Sequence, residues 1–279
     1  MNWQSNQVCE LAGYKLAYQR LGQGEPVLLV HGITTYSFIW RRIIPQLSWE
    51  YDVIAVDLLG CGNSDKPLDV PYSLRQHAEI LLEFTRHLGL ERFHFIGHDV
   101  GGGVGQIFAV QYGQHLYDLT VINTVAYDYW PVQPISAMRT PIIRQLMMAV
   151  LDRGALKQIV LRGVYHDERV DSELMDLFWM PMRSREGRKA FLHFAKSLDN
   201  QDLMVIAGNL KLLSLPVLII RGEADLYLSA AISDRLHREI PNSHLVKIPT
   251  AGHFIQEDEP ELLVDFIMQF FEEAKHDRQ

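Results

Sequence analysis

An aspartate occupies the centre of a turn that usually displays a catalytic nucleophile. Asp99 lies in the stretch GHDVG, between an apolar run that ends at Ile96 and two further glycines. The spacing Gly-x-nucleophile-x-Gly is typical of a sharp turn from a strand into a helix, which exposes its central side chain. A carboxylate at this point predicts attack on an electrophilic alkyl carbon and an ester intermediate, which divides one difficult step into two easier ones.

Two more polar residues complete a catalytic set. Asp225 follows the stretch VLIIRGEA and His253 follows HLVKIPTAG, so both come just after predicted strands. Because parallel strands end at one edge of a sheet, residues distant in sequence can meet there. Taken singly, each residue is also an ordinary turn, cap or loop residue. The order nucleophile, acid, histidine nevertheless predicts that His253, oriented by Asp225, takes a proton from the water that hydrolyses the ester.

Backbone groups near Asp99 predict an oxyanion hole. The stretch VHGI ends an early predicted strand at Ile33, whose N–H is one candidate donor, and the N–H of Val100 is the other. The glycines at 101–103 allow close approach of the following helix to the sheet. The N-terminus of that helix predicts that the Asp99 carboxyl stays ionised.

The elements that must position these residues alternate along the chain. The predicted strands cover 14–21, 26–30, 51–56, 92–96, 119–124, 216–221 and 245–248, and the predicted helices cover 39–47, 73–88, 104–112, 230–239 and 259–275. Runs such as PVLLV and FHFI are continuously apolar, which is typical of parallel strands buried on both faces. The pattern predicts an α/β fold with a mostly parallel central sheet and helices on both faces.

One segment interrupts this alternation. Residues 127–201 are rich in Met, Arg and aromatic residues, and helical periodicity recurs at 141–154 and 173–182. We therefore predict a core domain of residues 1–126 and 202–279, with a helical cap domain of residues 127–201 inserted after the sixth strand. Such an insertion lies over the carboxyl edge of the sheet, where α/β folds bind ligands.

Composition excludes several classes of function. The 279 residues carry a formal net charge of −8 without a basic stripe, so we expect no nucleic-acid partner. The start MNWQSNQ lacks the features of a signal peptide and no apolar run is long enough to span a membrane, so we expect a cytoplasmic protein without membrane contact. Cys9 and Cys61 lack metal-site spacing and are expected to be free thiols. The sequence makes no prediction of oligomeric state.

The sequence resembles the α/β-hydrolase superfamily over nearly its whole length. The resemblance runs from HGI at 31–33 through DLLGCGNSDKP at 57–67 to AGHFIQEDEPE at 251–261. GHDVGG is similar to the nucleophile turn of the aspartate branch, which contains haloalkane dehalogenases, soluble epoxide hydrolases and fluoroacetate dehalogenases. ITTYSFIWRRIIP also resembles haloalkane dehalogenases. The resemblance implies the α/β-hydrolase fold and an Asp nucleophile.

Departures from the branch concern the leaving group. Haloalkane dehalogenases typically hold the halide with an Asn after HG and a Trp after the nucleophile, where this chain has Ile33 and Val100. Neither side chain donates a hydrogen bond. The Pro of the HGxP motif of epoxide hydrolases is replaced by Thr34, and the Arg after the nucleophile of fluoroacetate dehalogenases is absent.

The cap is the predicted source of the missing donors. By resemblance to epoxide hydrolases, cap tyrosines would protonate the opening oxygen, and by resemblance to some dehalogenases, cap His, Trp and Tyr residues would hold the halide. The candidates are Tyr127, Tyr129, Trp130, Tyr165, His166 and Trp179. An aromatic residue in a cap helix is, however, more often a packing residue. Some family members also take the acid from just after the strand before the cap, which makes Asp128 the alternative to Asp225.

Together these features predict a hydrolase that needs no cofactor or metal. Its partners would be water and a small apolar organic substrate. A haloalkane dehalogenase-like reaction and epoxide hydrolysis are predicted about equally. A carboxylesterase-type reaction ranks third, because attack of Asp99 on an ester carbonyl would give an anhydride. A binding protein that keeps the hydrolase fold without turnover is the remaining alternative.

Overall fold

The computed structural model describes residues 5–11, 13–131, 135–137, 140 and 152–276. Its strands form one sheet of eight. They are β1 (Gln7–Leu11), β2 (Tyr14–Leu21), β3 (Glu25–Val30), β4 (Tyr51–Val56), β5 (Phe93–His98), β6 (Leu116–Ile122), β7 (Val217–Gly222) and β8 (Ser243–Ile248). The order across the sheet is β1-β2-β4-β3-β5-β6-β7-β8. β1 pairs with β2 and β2 with β4 in antiparallel fashion, and every other neighbouring pair is parallel.

The helices lie between and after these strands. They are α1 (Ile44–Leu47), α2 (Leu74–His87), α3 (Val100–Tyr112), α4 (Arg153–Gly163), α5 (Ser172–Trp179), α6 (Arg185–Ser197), α7 (Gln201–Leu210), α8 (Ala230–Glu239), α9 (Ile255–Asp258) and α10 (Pro260–His276). Side-chain caps explain several starts: the Ser73 hydroxyl accepts from the N–H of Gln76 at the start of α2, and Asp171 accepts from Leu174 at the start of α5.

Two buried hydrophobic layers cover the two faces of the sheet. The first contains side chains from α2, α3, α7 and α8, and from the cap helix α6. The second contains side chains from α1 and α10, and from the cap helices α4 and α5. Strands β3 to β5 contribute alternate residues to each layer, for example Leu28 to the first and Val27 to the second. The helices inserted between β6 and β7 are therefore continuous with both core layers.

The predicted fold class is confirmed. The α/β-hydrolase fold is present, with a mostly parallel sheet and helices on both faces. Several details differ from the prediction. β1 was not predicted, and α3 starts at Val100 rather than at 104. β6 is Leu116–Ile122 rather than 119–124, and the predicted helix at 39–47 is a 3-10 turn at Ser37–Trp40 followed by the short α1. Of the predicted helix at 141–154, residues 141–151 lie outside the described residues. The predicted helix at 173–182 corresponds to α5. The division into core and cap domains stays a prediction; its boundary at 201 coincides with the start of α7.

Candidate active site

Asp99 lies at the turn between β5 and α3 in a backbone conformation that few side chains adopt. Its φ is 53° and its ψ is −119°. The turn is closed by glycines that tolerate no side chain: a Cβ on Gly97 would lie 2.3 Å from the carbonyl oxygen of Gly101, and one on Gly101 would lie 2.3 Å from that of Val30. The strained turn is therefore fixed by close backbone contacts, and it holds the Asp99 side chain at the carboxyl edge of the sheet.

Both predicted oxyanion donors contact the Asp99 carboxylate. The N–H of Ile33 donates to Oδ2 over 3.1 Å, and the N–H of Val100 donates to the same carboxylate. Burial raises the pKa of Asp99, while these two hydrogen bonds and the charge of His253 act in the opposite direction. Burial thus opposes the expected effect of the helix N-terminus. A desolvated carboxylate is also a stronger nucleophile than a hydrated one.

His253 and Asp225 form a hydrogen-bonded pair. His253 Nδ1 donates to Asp225 Oδ2 over 3.0 Å, so Nε2 is the ring nitrogen that this pair does not use. The other Asp225 oxygen accepts from the N–H of Tyr227 at 2.7 Å and of Leu228 at 3.1 Å, so the carboxylate is held on both sides. Burial lowers the pKa of His253, but the charge and hydrogen bond of Asp225 and the charge of Asp99 outweigh it and raise the pKa above its usual value.

A buried arginine lies behind this pair. Arg221, near the end of β7, places Nη1 3.4 Å from Asp225 Oδ2 and donates from Nη2 to the Asp225 carbonyl over 3.1 Å. Burial raises the pKa of Asp225, but the charge and hydrogen bond of His253 and the charge of Arg221 together bring that pKa below its usual value. Asp225 therefore remains an anion, with the Arg221 guanidinium and the His253 Nδ1–H both close to its Oδ2.

Two residues that the sequence analysis did not identify hold the backbone of His253. The carbonyl of His253 accepts from His98 Nε2 and from Asn123 Nδ2, each over 2.9 Å. Burial and the neighbouring His253 lower the pKa of His98 to about 3, so His98 is a neutral donor at ordinary pH. His98 is the last residue of β5 and Asn123 directly follows β6, and this position at the strand ends was the only sequence signal that pointed to them.

Three of the cap candidates follow β6. The Tyr127 hydroxyl donates to Glu239 Oε2 over 2.9 Å and its ring lies 3.7 Å from the Arg235 guanidinium, so it is used at the junction with α8. The Tyr129 side chain is exposed. Trp130 is buried in the first hydrophobic layer, and its Nε1 has no hydrogen-bond partner among the described residues.

The other candidates make contacts away from Asp99. Tyr165 is exposed and uses its backbone N–H to bind Asp258, and the His166 ring lies between Glu168 at 3.3 Å and Glu259 at 3.4 Å. Trp179 is half-buried beneath the Arg188 guanidinium. Asp128, the alternative acid, is exposed, whereas Asp225 contacts His253 directly.

The described part of the chain contains no group of three or more His, Cys, Asp or Glu side chains arranged to hold a metal ion. In the same part, no helix is long and apolar enough to cross a membrane. The arrangement brings a buried carboxylate with two amide donors to the same edge of the sheet as a hydrogen-bonded histidine–aspartate pair.

Fold and site together define a hydrolase. The family profile described as the alpha/beta hydrolase fold matches residues 25–260, and the chain belongs to this family. Haloalkane dehalogenases are among the relatives to which the chain is similar.

Individual relatives match the chain almost from end to end. Haloalkane dehalogenase 2 of Mycobacterium tuberculosis (strain H37Rv) is 29% identical over 269 residues, which cover 92% of this chain and 91% of the relative. Cis-3-alkyl-4-alkyloxetan-2-one decarboxylase of Shewanella oneidensis is 27% identical, covering 94% and 87%. Among solved structures, an alpha/beta hydrolase fold protein from Burkholderia ambifaria superimposes with a TM-score of 0.88 at 25% identity, covering 96% of this chain and 99% of that one.

Proposed function

We propose that this hydrolase displaces a leaving group from an alkyl carbon of a small apolar substrate through an ester on Asp99. The observation that carries the proposal is the Asp99 carboxylate itself, held by the Ile33 and Val100 amides and facing the charge of His253. In the first step the free Asp99 oxygen attacks the carbon and the leaving group departs with the bonding electron pair.

The second step restores the enzyme. Water attacks Cγ of the Asp99 ester while His253 Nε2 takes its proton, and Asp225 stabilises the resulting imidazolium. The negative charge that develops on Oδ2 is met by the Ile33 and Val100 amides, which already bind that carboxylate. Collapse of the tetrahedral intermediate expels the alkoxide, which takes the proton from His253 and leaves as the alcohol. The proton of the new Asp99 carboxylic acid passes to solvent, and the carboxylate is restored.

The contacts of the cap residues favour a halide over an epoxide oxygen as the leaving group. An opening epoxide needs a proton from an acid such as a tyrosine, but the Tyr127 hydroxyl is bound to Glu239 and the side chains of Tyr129 and Tyr165 are exposed. A halide needs only hydrogen-bond donors, and the indole N–H of Trp130 is buried without a partner among the described residues. We therefore propose a haloalkane dehalogenase-type reaction in which Trp130 contributes a donor to the halide.

A single turnover in ¹⁸O water tests the covalent mechanism. With 1-bromohexane as probe, we expect bromide release and ¹⁸O in the peptide that contains Asp99, because the ester is hydrolysed at Cγ. His253→Gln should stop after the first step and retain the alkyl group on Asp99. Turnover that leaves Asp99 unlabelled would contradict the mechanism. The matched probe 1,2-epoxyhexane distinguishes epoxide hydrolysis, which would give a diol and no halide.

Trp130→Phe tests the assignment of the leaving group. We expect bromide to bind roughly tenfold more weakly than to the wild type, since one hydrogen bond to an anion is lost. Trp40→Phe is a matched control, because Trp40 is also buried with an unpaired Nε1 among the described residues but lies in the second hydrophobic layer. Equal bromide affinity of the Trp130 variant and the wild type, measured by calorimetry, would rule out this role.

A second candidate reaction is the opening of a four-membered lactone, the substrate class in the name of the Shewanella relative. The apolar side chains of Ile33 and Val100 favour this reaction. The ring carboxylate leaves as neutral CO₂, so the leaving group needs no hydrogen-bond donor from the site. Asp99 would attack the ring carbon bonded to oxygen and release the ring carboxylate; loss of CO₂ would then expel Asp99 and form an alkene. A cis-3,4-dialkyloxetan-2-one would give CO₂ without ¹⁸O in Asp99.

A further inference from the structure

Asn123 connects three backbone segments at the carboxyl edge of the sheet. It is buried and directly follows β6. Its Nδ2 donates to the carbonyls of Gly252 at 2.8 Å and His253 at 2.9 Å, and its Oδ1 accepts from the N–H of Gly222 at 3.0 Å. One side chain therefore ties the loop that carries His253 to the end of β7, three residues before Asp225.

The backbone at this position suits asparagine. Asn123 has a φ of 37°, in the left-handed region that Asn adopts more readily than most residues. Its N–H donates to the carbonyl of Ile220 over 3.0 Å, so the residue is held on both its main chain and its side chain. Both hydrogens of the amide group point to carbonyl oxygens, which is a role that an isosteric carboxylate cannot fill.

We propose that Asn123 is a positioning residue for the hydrolysis of the Asp99 ester. This proposal rests on the proposed function. The Asn123 side chain hydrogen-bonds to backbone atoms and not to the Asp99 carboxylate or the His253 ring. It acts through the backbone of His253 and sets where the imidazole lies relative to the ester carbon. Attack by Asp99 needs no base, because the carboxylate is already the nucleophile. Displacement of His253 should therefore slow the second step and leave the first step nearly intact.

The test compares Asn123→Asp with Thr120→Val. Asn123→Asp retains the acceptor for Gly222 and replaces the donor with an oxygen that faces two carbonyls. Thr120 lies on β6, three residues before Asn123, and is also buried. Its hydroxyl has no partner among the described residues, so its variant controls for the loss of a buried polar group. Asn123→Gly is the second variant, since glycine tolerates the left-handed backbone.

Two measurements are made on each variant. Rapid quench with 1-bromohexane and intact-mass analysis gives the rates of ester formation and ester hydrolysis. We expect hydrolysis to fall roughly 10- to 100-fold in Asn123→Asp with formation changed less than about threefold, as for a small misplacement of a catalytic group, so that the ester accumulates. Amide hydrogen exchange should rise at least about tenfold in peptides covering 249–258 and stay unchanged in Thr120→Val.

The outcomes separate this proposal from the proposed function. If wild-type protein forms no ester on Asp99, the proposed function fails. The exchange measurement at 249–258 then decides alone whether Asn123 holds the loop that carries His253. Equal losses in both steps, or unchanged exchange at 249–258, would overturn the positioning role. If neither Asn123 variant folds while Thr120→Val does, Asn123 is a folding requirement and the proposal is also overturned.

Discussion

At the scale of single residues, the contacts of His253 predict that Asp225, and not Asp128, is the acid needed for hydrolysis of the ester. Asp225→Asn removes the negative partner at 3.0 Å from His253 Nδ1 and permits the wrong imidazole tautomer. We expect hydrolysis of the ester to slow by on the order of 10⁴-fold. The matched variant Asp128→Asn changes an exposed residue and should leave the rate within about twofold. Single-turnover kinetics measure both, and a larger loss in the Asp128 variant would reverse the assignment.

The positive charge of Arg221 predicts how the pH dependence of ester hydrolysis changes when Arg221 is replaced. In the proposed mechanism His253 must be neutral to accept a proton, so we expect ester hydrolysis to rise as pH passes through the pKa of His253. Asp225 is the chief group that raises this pKa against the effect of burial. The positive charge of Arg221 acts in the opposite direction, with Asp99 and His98 as the other groups close to the ring. Arg221→Met should therefore move the acidic limb of the pH–rate profile to higher pH.

Arg221→Lys retains the charge and should retain the wild-type limb. Asp225→Asn should move the limb the other way, to lower pH, since it removes the group that raises the pKa of His253. If the acidic limb of Arg221→Met stays in place or moves to lower pH, the Arg221 guanidinium does not lower the pKa of His253.

Residue types and order pointed to the candidate reacting groups but not to the residues that hold them. Asp99, Asp225 and His253 were predicted because each has a recognisable position after a strand and a side chain with a chemical role. Asn123 and His98 were missed because their hydrogen bonds join backbone atoms about 130 and 155 residues away, which no local pattern encodes. The cap aromatics were ambiguous for the same reason, since their partners are set by tertiary packing.

At the scale of elements, the turn between β5 and α3 predicts contrasting effects of two glycine substitutions. Gly101→Ala would place a Cβ 2.3 Å from the carbonyl oxygen of Val30, and backbone on both sides prevents relief. We expect a loss of about 3 kcal/mol in the free energy of unfolding. Gly208→Ala, in α7, meets open space and should stabilise by roughly 0.5–1 kcal/mol. Urea unfolding checks both, and a folded Gly101→Ala of wild-type stability would show that the turn can relax.

The elements predicted best were those with a strong local pattern. β2, β4 and α8 have the predicted bounds, because each combines a clear periodicity with a turn or cap at its ends. β1 was missed because it is short and mostly exposed, with Cys9 as its one buried residue, and it exists through pairing with β2. The first residues of α3 were missed because three glycines weaken the helical signal that tertiary contacts then override.

At the scale of the whole molecule, the cap helices and the core share their hydrophobic layers. Phe178 of α5 is buried against Phe38 and Phe254, with ring centroids 5.0 and 5.1 Å away. The buried Asp258 carboxylate accepts from the N–H groups of Tyr165 in the insertion and Gly252 in the loop before His253. Apolar and polar contacts therefore connect the insertion to the loop that carries His253.

This continuity predicts that core and cap unfold together. A cap with its own core would unfold separately, whereas α4, α5 and α6 bury their apolar faces in the layers that also cover the sheet. We expect one calorimetric transition with equal calorimetric and van't Hoff enthalpies. Phe178→Ala should cost about 3–5 kcal/mol and shift that whole transition. Trp49→Ala, whose side chain is 88% exposed, should change it little. Two separate transitions, with only the first shifted by Phe178→Ala, would instead make the cap an independent folding unit.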